Sequence, residues 1–572
     1  MCGIAGVVGG DPRTLERMLD RLAHRGPDGR ASANGQAARM GCTRLAIRGG
    51  AAGAQPLRTR TGLLAFNGEI YNLAELVKDC AWHGIEVDPE SDTQVVGALL
   101  DIYGIRAVDR LNGMFALSFD DGERVHLARD PAGIKPLYYR GSRFASEIEP
   151  LLLGKERRLC SAAVARWLTF HVAWGEETFF EGVSRVVPGG IVTLPGGALV
   201  RAGDPALRPG AANPALDADR LRRVVSRAVR DTATQAACGV SLSGGLDSTL
   251  VAALLPRENL VAFHGRVREA GCDESGFARA AAQALGLELV EVPITAEACL
   301  EAFPRVVEAL EEPVAGPGSI AQWLVARAAA QRVKVLYSGC GGDELFGGYA
   351  RCAAMAFDRP PAGLEAYAPL FARAAGCAFP AGRALALLDR RPGALFSADF
   401  LAAHPAPAEE FQERFFANGL EPLAAAARAE REVVLPGLLQ VEDRVTMAFG
   451  LEGRVPLLDR RLLKAAGRLG PEQRVDQAGT LKALLRDAAA PLLPPAVRER
   501  RDKLGFPLPL GEWLAGPWRG FVLDVLEDRR TKERGIADRD AAKRALDEAG
   551  RYDRGLVSLL AFELWCRRYL DE

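Results

Sequence analysis

The spacing of apolar residues changes along the chain, and it predicts two regions of different architecture. In the first 200 residues the apolar runs are short, as at 62–66, 114–119 and 124–128, and the turn string Asp120-Asp121-Gly122 separates two of them. A stretch with helical spacing lies between them at 93–103. This mixture predicts an α+β domain built on antiparallel sheets.

A stretch rich in proline, glycine and alanine at 203–214 predicts a boundary between two domains. We place a first domain at 1–200, a linker at 201–216 and a second domain at 217–572. Apolar residues recur at helical spacing directly after the linker, which predicts a long helix over 219–237.

Strands and helices then alternate along the second domain. The predicted strands lie at 239–243, 260–267, 287–292 and 334–337. One predicted helix begins at Ser248, and three others span 274–285, 297–310 and 320–331. This alternation predicts parallel strands joined by helical crossovers, and therefore a doubly wound parallel sheet. The rest of the chain, from about residue 351, is rich in Ala and Leu and predicts helices that cover the sheet.

Composition and charge exclude several function classes. The 572 residues include 72 Lys and Arg against 73 Asp and Glu, so the net charge of −1 favours neither nucleic acid nor an anionic membrane surface as a partner. The longest apolar runs, such as 250–255, are too short to span a bilayer. The 11 cysteines contain no Cys-x-x-Cys pair and the 6 histidines show no metal-ligand spacing. We therefore expect a cytoplasmic protein without a zinc site or a disulfide framework.

Cysteine stands at position 2, where removal of the initiator methionine leaves its thiol beside a free α-amine. A thiol has a reference pKa of about 8.5 and an α-amine one of about 7.7–8.0, so the amine can take the thiol proton. Downstream, Asn67 offers an amide donor and Gly68 a backbone N–H for a tetrahedral oxyanion. Arg44 and Asp92 carry the charges that an amino-acid carboxylate and ammonium require. In this context an incidental Cys2 is the weaker interpretation.

These residues lie in strings that resemble class II glutamine amidotransferase domains. The strings are Cys2-Gly3-Ile4, His24-Arg25-Gly26-Pro27-Asp28, Arg44-Leu45-Ala46-Ile47, Asn67-Gly68-Glu69-Ile70-Tyr71-Asn72, Ser91-Asp92-Thr93 and Ala145-Ser146-Glu147-Ile148. The resemblance implies an αββα glutaminase domain of the amino-terminal-nucleophile type, with Cys2 as the nucleophile. It also implies that Asn67 and Gly68 form the oxyanion hole. The implied glutamine-binding residues are Arg44, Asn67, Gly68, Glu69 and Asp92. Gln94 and Pro131 depart from the family pattern without touching this chemistry.

The string Leu242-Ser243-Gly244-Gly245-Leu246-Asp247-Ser248 joins a predicted strand to a predicted helix. Glycine N–H groups, hydroxyls and a helix amino terminus can together hold a pyrophosphate. The string is neither a Walker A loop nor a dinucleotide fingerprint. A second string, Ser338-Gly339-Cys340-Gly341-Gly342-Asp343-Glu344, follows another predicted strand, and the two would meet at the carboxyl edge of the sheet. We therefore predict one pyrophosphate-binding site with two metal-binding carboxylates, Asp247 and Asp343.

Both strings resemble the ATP-pyrophosphatase domain of glutamine-hydrolysing asparagine synthetases, and the similarity continues in family order through 447–459, 482–486 and 503–507. The resemblance implies cleavage of ATP between the α and β phosphates, an acyl-adenylate and release of pyrophosphate. It implies Lys482 as a cation near the reacting phosphate and Glu344 as a polar group near the attack of ammonia. The implied ATP-binding residues are Leu242, Ser243, Gly244, Gly245, Asp247, Ser248, Ser338 and Gly339.

The resemblance predicts synthesis of L-asparagine from L-aspartate, ATP and glutamine. A different carboxylate is the first alternative, because relatives with the same machinery close β-lactams or cyclise lasso peptides. Two features leave the acceptor open: Cys340 stands where most asparagine synthetases have Glu, and the segment 311–319, expected to face the acceptor, matches no aspartate pocket.

Two alternatives differ in class: a catalytically retired scaffold, which the intact catalytic strings disfavour, and a glutaminase whose second domain only senses nucleotide. We also expect an apolar internal passage for ammonia. The resemblance carries the expectation of a homodimer, which the sequence itself does not indicate.

Overall fold

A computed structural model describes residues 2–172, 174–201, 203, 213, 215–269, 271–313, 316–377, 380–388, 395–417, 419–500, 508–548 and 554–571. Met1, most of the predicted linker and the string at 503–507 lie outside these residues.

The first part of the chain forms two six-stranded antiparallel sheets, as its short apolar runs predict. The strands are β1 Cys2–Val8, β2 Gly29–Asn34, β3 Ala38–Arg44, β4 Leu57–Arg58, β5 Leu63–Ile70, β6 Gly113–Asp120, β7 Val125–Arg129, β8 Tyr138–Arg140, β9 Arg143–Ala145, β10 Ser184–Arg185, β11 Ile191–Leu194 and β12 Ala198–Arg201. One sheet has the order β10-β8-β9-β1-β3-β2, and the other has the order β12-β11-β7-β6-β5-β4.

The two sheets pack face to face, with helices on both outer faces. The helices of this part are α1 Pro12–Arg21, α2 Leu73–Trp82, α3 Asp92–Tyr103, α4 Glu149–Leu152 and α5 Ser161–Phe170. Successive residues of a strand point to opposite faces, so Ile4 of β1 joins the core between the sheets while Val7 packs beneath α1. On the other sheet, Phe115 of β6 packs against α2 and α3. The predicted αββα arrangement is confirmed.

The second part is built on a five-stranded parallel sheet of β13 Cys238–Ser241, β14 Leu260–Arg266, β15 Glu288–Pro293, β16 Val335–Tyr337 and β17 Glu452–Arg454. Its order is β15-β14-β13-β16-β17, so the direction of winding reverses between β13 and β16. The doubly wound sheet is therefore confirmed, and loops that leave β13 and β16 flank the crevice where such sheets bind ligands.

Helices cover this sheet, as the alternating pattern and the Ala- and Leu-rich remainder predict. The helices in and around the crossovers are α6 Ala218–Asp231, α7 Leu246–Leu254, α8 Ser275–Leu285, α9 Ala296–Leu310, α10 Gly318–Ala329 and α11 Gly342–Phe346. Those that follow are α12 Ala350–Ala356, α13 Ala368–Ala375, α14 Pro380–Leu388, α15 Ala398–Ala403, α16 Ala408–Phe416, α17 Pro422–Ala429, α18 Leu435–Met447, α19 Arg460–Ala466, α20 Pro471–Arg474, α21 Ala483–Ala489, α22 Pro495–Arg498, α23 Leu510–Ala515, α24 Arg519–Glu527, α25 Arg529–Arg534, α26 Arg539–Asp547 and α27 Arg554–Tyr569. Among the residues described, none of the helices combines the length and apolar character needed to cross a membrane.

The prediction of a helix over 219–237 is wrong at the carboxyl end, because α6 ends at Asp231. If the helix continued, the carbonyl oxygen of Thr232 would accept a hydrogen bond from a backbone N–H of the next turn. It instead accepts from the hydroxyl of Tyr337 at 2.6 Å and from the guanidinium of Arg454. Two donors from distant strands thus replace the intrahelical bond, and the chain turns into β13.

A buried ion-pair network joins the two parts of the chain. Arg25 Nη1 lies 2.9 Å from both Glu147 Oε1 and Asp443 Oδ2, and Lys135 Nζ lies 3.2 Å from Asp443 Oδ1. Arg444 pairs with the same Glu147. Because Asp443 and Arg444 belong to α18, this helix of the second part is tied directly to the strands and loops of the first.

Candidate active sites

Cys2, the first residue of β1, is hydrogen-bonded through its backbone to the side chain of Asn67. Cys2 is 4% exposed, and its backbone N donates to Asn67 Oδ1 at 3.0 Å. Asn67 lies within β5, which extends beyond the apolar run at 62–66 and continues to Ile70. Asn67 is fully buried, and its Nδ2 has no hydrogen-bond partner among the described residues. An unpartnered buried donor beside a thiol is the arrangement that an oxyanion hole requires.

Gly68, the next residue of β5, fills a position that a side chain cannot occupy. A Cβ atom there would lie 2.3 Å from the carbonyl oxygen of Met114 and 2.8 Å from Phe115 of the neighbouring strand. The predicted second oxyanion donor is therefore held on a strand whose close packing requires glycine.

Two side chains that the sequence analysis did not single out surround the Cys2 thiol. Gln55 Nε2 lies 3.8 Å from Cys2 Sγ, and Gln55 Oε1 accepts from the N–H of Phe66 at 2.6 Å. Cys42 of β3 is opposite Ile4, so it is the diagonal neighbour of Cys2 on the same face. A hydrogen bond from Cys42 lowers the pKa of the Cys2 thiol to about 6, against the burial that raises it. The first site thus favours a thiolate nucleophile.

Replacing Cys42 with alanine is expected to slow alkylation of Cys2 by iodoacetamide roughly tenfold at pH 7. Loss of the S–H donor raises the pKa of the Cys2 thiol, so less thiolate is present and the reaction requires a higher pH. Mass spectrometry of the peptide that contains Cys2, across a pH series, measures the shift. Cys42→Ser keeps a donor and preserves the profile, and Cys80→Ala is the matched control for loss of a buried thiol. An unchanged profile in Cys42→Ala contradicts this account.

Two carboxylates of the predicted glutamine-binding set, Glu69 and Asp92, lie close enough to repel each other. Glu69 Oε1 lies 3.3 Å from Arg48 Nη1 and 3.2 Å from Arg454 Nη2, and Arg454 belongs to the second part of the chain. Burial, followed by repulsion from Glu69, raises the pKa of the Asp92 carboxyl well above its usual range. Such a pair of carboxylates is suited to a cationic group such as an α-ammonium. Arg44 is opposite Cys2 in the sheet, where its guanidinium is suited to a carboxylate.

The two glycine-rich loops of the second part meet between β13 and β16. A Cβ on Gly339 would lie 2.7 Å from the backbone N of Ser248, and one on Gly342 would lie 2.5 Å from the carboxylate of Asp247. Gly244 has φ +67°, and a Cβ there would lie 2.4 Å from the backbone of Phe277. Glycine is therefore needed at 339 and 342 for the two loops to pack against each other, and at 244 for the first loop to pack against α8.

A cavity of about 220 Å³ opens between these loops and helices α10 and α18. Five of the eight predicted ATP-binding residues line it: Ser243, Asp247, Ser248, Ser338 and Gly339. Leu242, Gly244 and Gly245 are not on its wall, and the N–H of Leu242 donates to the carbonyl of Phe263 within the sheet. Cys340, Asp343, Glu344 and Glu442 also line the cavity.

Lys482 lies between the two predicted metal ligands. Its ammonium pairs with Asp247 and lies 2.6 Å from Asp343 Oδ1. Burial lowers the pKa of this ammonium, but the two carboxylates more than offset that effect and raise it above its usual value. Two carboxylates that converge on one cation provide the oxygen donors that Mg²⁺ takes from a protein when substrate phosphates supply the rest. The donor set therefore fits a divalent cation.

Hydrogen bonds restrict the Glu344 carboxylate, and a raised pKa keeps the Cys340 thiol protonated. Glu344 accepts from the hydroxyl of Tyr349 and, at 3.1 Å, from the N–H of Gly341, so both its oxygens are engaged. Burial, and then the nearby carboxylates, raise the pKa of the Cys340 thiol well above its usual value. At neutral pH Cys340 is therefore a neutral thiol.

The expectation that 311–319 faces the acceptor is wrong for its two carboxylates. Glu311 accepts from the N–H groups of Ile148 and Glu149, each at 2.6 Å. Glu312 pairs with Arg185 at 2.8 Å. Both side chains therefore bind the first part of the chain, because buried carboxylates require such donors. Residues 314–315 lie outside the described part of the chain.

One apolar cluster extends from the first site towards the second. It contains Leu45, which follows Arg44 in the sequence, and Met114, which is opposite Glu69 in the β5–β6 pair. Tyr337 and Leu458 of the second part belong to the same cluster. The side chain of Cys340 packs against the same cluster. The elements that carry the two sites thus share one hydrophobic core.

Two family models match successive parts of the chain. Residues 1–201 match the glutamine amidotransferase domain family, and residues 220–567 match the asparagine synthase family. Glutamine-hydrolysing asparagine synthetase 1 of Bacillus subtilis is 29% identical over 100% of this chain and 98% of its own length.

More distant relatives include glutamine-hydrolysing asparagine synthetase 1 of Saccharomyces cerevisiae, 26% identical over 81% of this chain and 74% of its own. The amidase chry2 of Gibberella zeae is 26% identical over 97% of this chain and 96% of its own. The solved glutamine phosphoribosylpyrophosphate amidotransferase of B. subtilis aligns with a TM-score of 0.28 and 16% identity over 51% of this chain and 66% of its own. The family matches and the full-length similarity show that the chain belongs to the asparagine synthase family and is a carbon–nitrogen ligase of the glutamine-hydrolysing asparagine synthetase type.

Proposed function

We propose that the protein transfers the amide nitrogen of glutamine to L-aspartate, using ATP, and so forms L-asparagine, AMP, pyrophosphate and glutamate. One observation supports this most strongly: the similarity to the B. subtilis asparagine synthetase extends over both parts of the chain. The geometry of the two sites supports the proposal for each half-reaction.

In the first half-reaction, the thiolate of Cys2 attacks the side-chain carbonyl of glutamine. The oxyanion that forms is stabilised by Asn67 Nδ2 and the N–H of Gly68. The α-amine of Cys2, exposed by removal of Met1, transfers a proton to the leaving ammonia. Water then hydrolyses the thioester and releases glutamate. The glutamine carboxylate binds Arg44, and its ammonium is held by the pair of Glu69 and Asp92.

In the second half-reaction, a carboxylate oxygen of the acceptor attacks the α-phosphorus of ATP and displaces pyrophosphate. Ser243, Ser248 and Ser338 provide donors for phosphate oxygens along the cavity. Asp247 and Asp343 would hold Mg²⁺, which neutralises phosphate charge when it is bound. Lys482 provides a fixed positive charge behind the reacting phosphates.

Ammonia must reach the adenylate without loss to water, so we propose that it crosses the apolar cluster shared by the two sites. Leu45 and Met114 are the members of this cluster that adjoin Arg44 and Glu69, and Cys340 packs against the same cluster. With labelled glutamine in excess unlabelled ammonium, retention of label in the product supports the passage, and full dilution contradicts it.

A different carboxylate acceptor is the second candidate. It is favoured by the full-length similarity to an amidase and by Cys340 on the cavity wall, at the position that carries Glu in most asparagine synthetases. A neutral thiol offers the acceptor neither charge nor a strong hydrogen bond.

An acceptor panel tests the proposal. The full-length protein receives ATP, Mg²⁺, glutamine and one carboxylate at a time, and both AMP and the mass of the amide are measured. We expect AMP and asparagine in equal amounts with aspartate, and no AMP without an acceptor. Activity with another carboxylate but not aspartate contradicts the acceptor and leaves the chemistry in place. Glutamate production without AMP under every acceptor favours a glutaminase.

A further inference from the structure

We propose that the carboxylate of Glu442 takes the proton from the nitrogen that attacks the acyl-adenylate. The inference rests on the proposed function and adds a catalytic residue that the sequence analysis did not identify. It concerns the step after adenylation, when a neutral nitrogen nucleophile must lose a proton to become an amide.

Helix α18 places Glu442 on the wall of the synthetase cavity. Leu438, Glu442 and Val445 line the cavity and have the i, i+4, i+7 spacing of one helix face. The hydroxyl of Ser338, in the loop that follows β16, donates to the Glu442 carboxylate. Glu442 is half-buried and lines the same cavity as Asp247.

The other acidic side chains on this wall are already committed. Asp247 and Asp343 share the ammonium of Lys482. Both oxygens of Glu344 are engaged, by Tyr349 and by the N–H of Gly341. Burial also raises the pKa of the Glu344 carboxyl to about 7, but its bonds to Tyr349 and Gly341 hold it within its own loop. Of the carboxylates among the described residues that line the cavity, we therefore assign the proton acceptor to Glu442.

The surroundings of Glu442 suit a group that exchanges protons near neutral pH. Burial raises the pKa of its carboxyl to about 7, while the bond from Ser338 and the charge of Lys135 act in the opposite direction. Asp443, on the same helix, raises the pKa further. The Cys340 thiol also faces Glu442 and stays neutral, so it does not compete for the proton. A base with a pKa near the working pH transfers protons most effectively.

The step balances as follows. The lone pair of ammonia forms the C–N bond, and the carbonyl π electrons move onto oxygen. One N–H proton then passes to Glu442, and the carbonyl re-forms. The C–O bond to AMP breaks, and its electron pair leaves on the phosphate. The products are the amide, AMP and protonated Glu442, which returns its proton to water before the next turnover.

The test separates adenylation from nitrogen attack in the full-length protein. Adenylation is followed as acceptor-dependent exchange of pyrophosphate into ATP without a nitrogen source, using the acceptor that supports exchange in the wild type. Attack is followed as hydroxamate formation with hydroxylamine, which is largely unprotonated near neutral pH. In Glu442→Gln we expect exchange and glutaminase activity close to wild type, with hydroxamate formation lower by about 10²–10⁴-fold.

The pH profile distinguishes proton transfer from a structural effect. Wild-type hydroxamate formation should fall as the pH falls through about 7, because Glu442 becomes protonated. Glu442→Asp should keep this limb at a reduced rate, and Glu442→Gln should lose it. Glu301→Gln, an exposed site on α9, is the matched control.

Three results overturn the inference. The first is hydroxamate formation in Glu442→Gln within about threefold of wild type. The second is an equal loss of exchange and attack, which would make Glu442 a binding residue. The third is a wild-type profile without the limb near pH 7. Absence of exchange with every acceptor instead contradicts the proposed function itself, and the proton transfer with it.

Discussion

Replacing Cys2 with alanine is expected to abolish product formation from glutamine while ammonium salts still support it. The thiol is the proposed nucleophile of the first site, and its loss should reduce glutamine-dependent turnover by at least about 10³-fold. The second site does not contain Cys2, so adenylation and attack by added ammonia should remain. Amide formation measured with glutamine and with ammonium, under the same ATP and acceptor concentrations, gives the two rates.

The structure supplies controls for this prediction. Cys80→Ala removes another buried thiol of the same part of the chain, on α2, and should leave both activities intact. Asn67→Ala retains the thiol but removes the unpartnered Nδ2, so it should reduce glutamine hydrolysis by about 10²–10³-fold. Equal activity with glutamine before and after Cys2→Ala would show that nitrogen enters by another route.

Much of this arrangement could be predicted because the chemistry depends on local strings. Cys2 and Asn67 are 65 residues apart, yet each lies in a string that implies its role, and the strands then bring them within 3.0 Å. The two glycine-rich loops follow strands that are adjacent at the point where the sheet reverses direction. Alternation of strands and helices was enough to place both loops at one edge of the sheet.

The parts that could not be predicted depend on contacts between distant segments. Helix α6 is shortened by donors from β16 and β17, and its own sequence contains no signal of them. Gln55 approaches the thiol from a loop without a recognisable motif. Glu344 belongs to a conspicuous string, but its oxygens are used within that loop, whereas Glu442 reaches the cavity from a helix about 100 residues later in the chain. Local strings therefore indicated the chemistry better than they identified every side chain that carries it.

Replacing Lys482 with methionine is expected to disable adenylation and to destabilise the protein. Asp247 and Asp343 would face each other without the ammonium that now lies between them. Removing one member of a buried ion pair typically costs about 3–5 kcal/mol in the free energy of unfolding. Loss of a fixed positive charge beside the phosphates should lower pyrophosphate exchange by about 10²–10³-fold. Thermal unfolding and the exchange assay measure the two effects.

The cause of the instability can be isolated with a second substitution. Asp343→Asn in the Lys482→Met background removes one of the two facing negative charges, so it should restore part of the lost unfolding temperature without restoring exchange. Mg²⁺ alone should raise the unfolding temperature of Lys482→Met more than that of wild type, because the two carboxylates are then free to bind it. Lys464→Met, an exposed site on α19, should change neither quantity. If Lys482→Met unfolds at the wild-type temperature and Mg²⁺ does not distinguish the two proteins, Asp247 and Asp343 do not form the cation site, and the adenylation geometry proposed for this cavity is wrong.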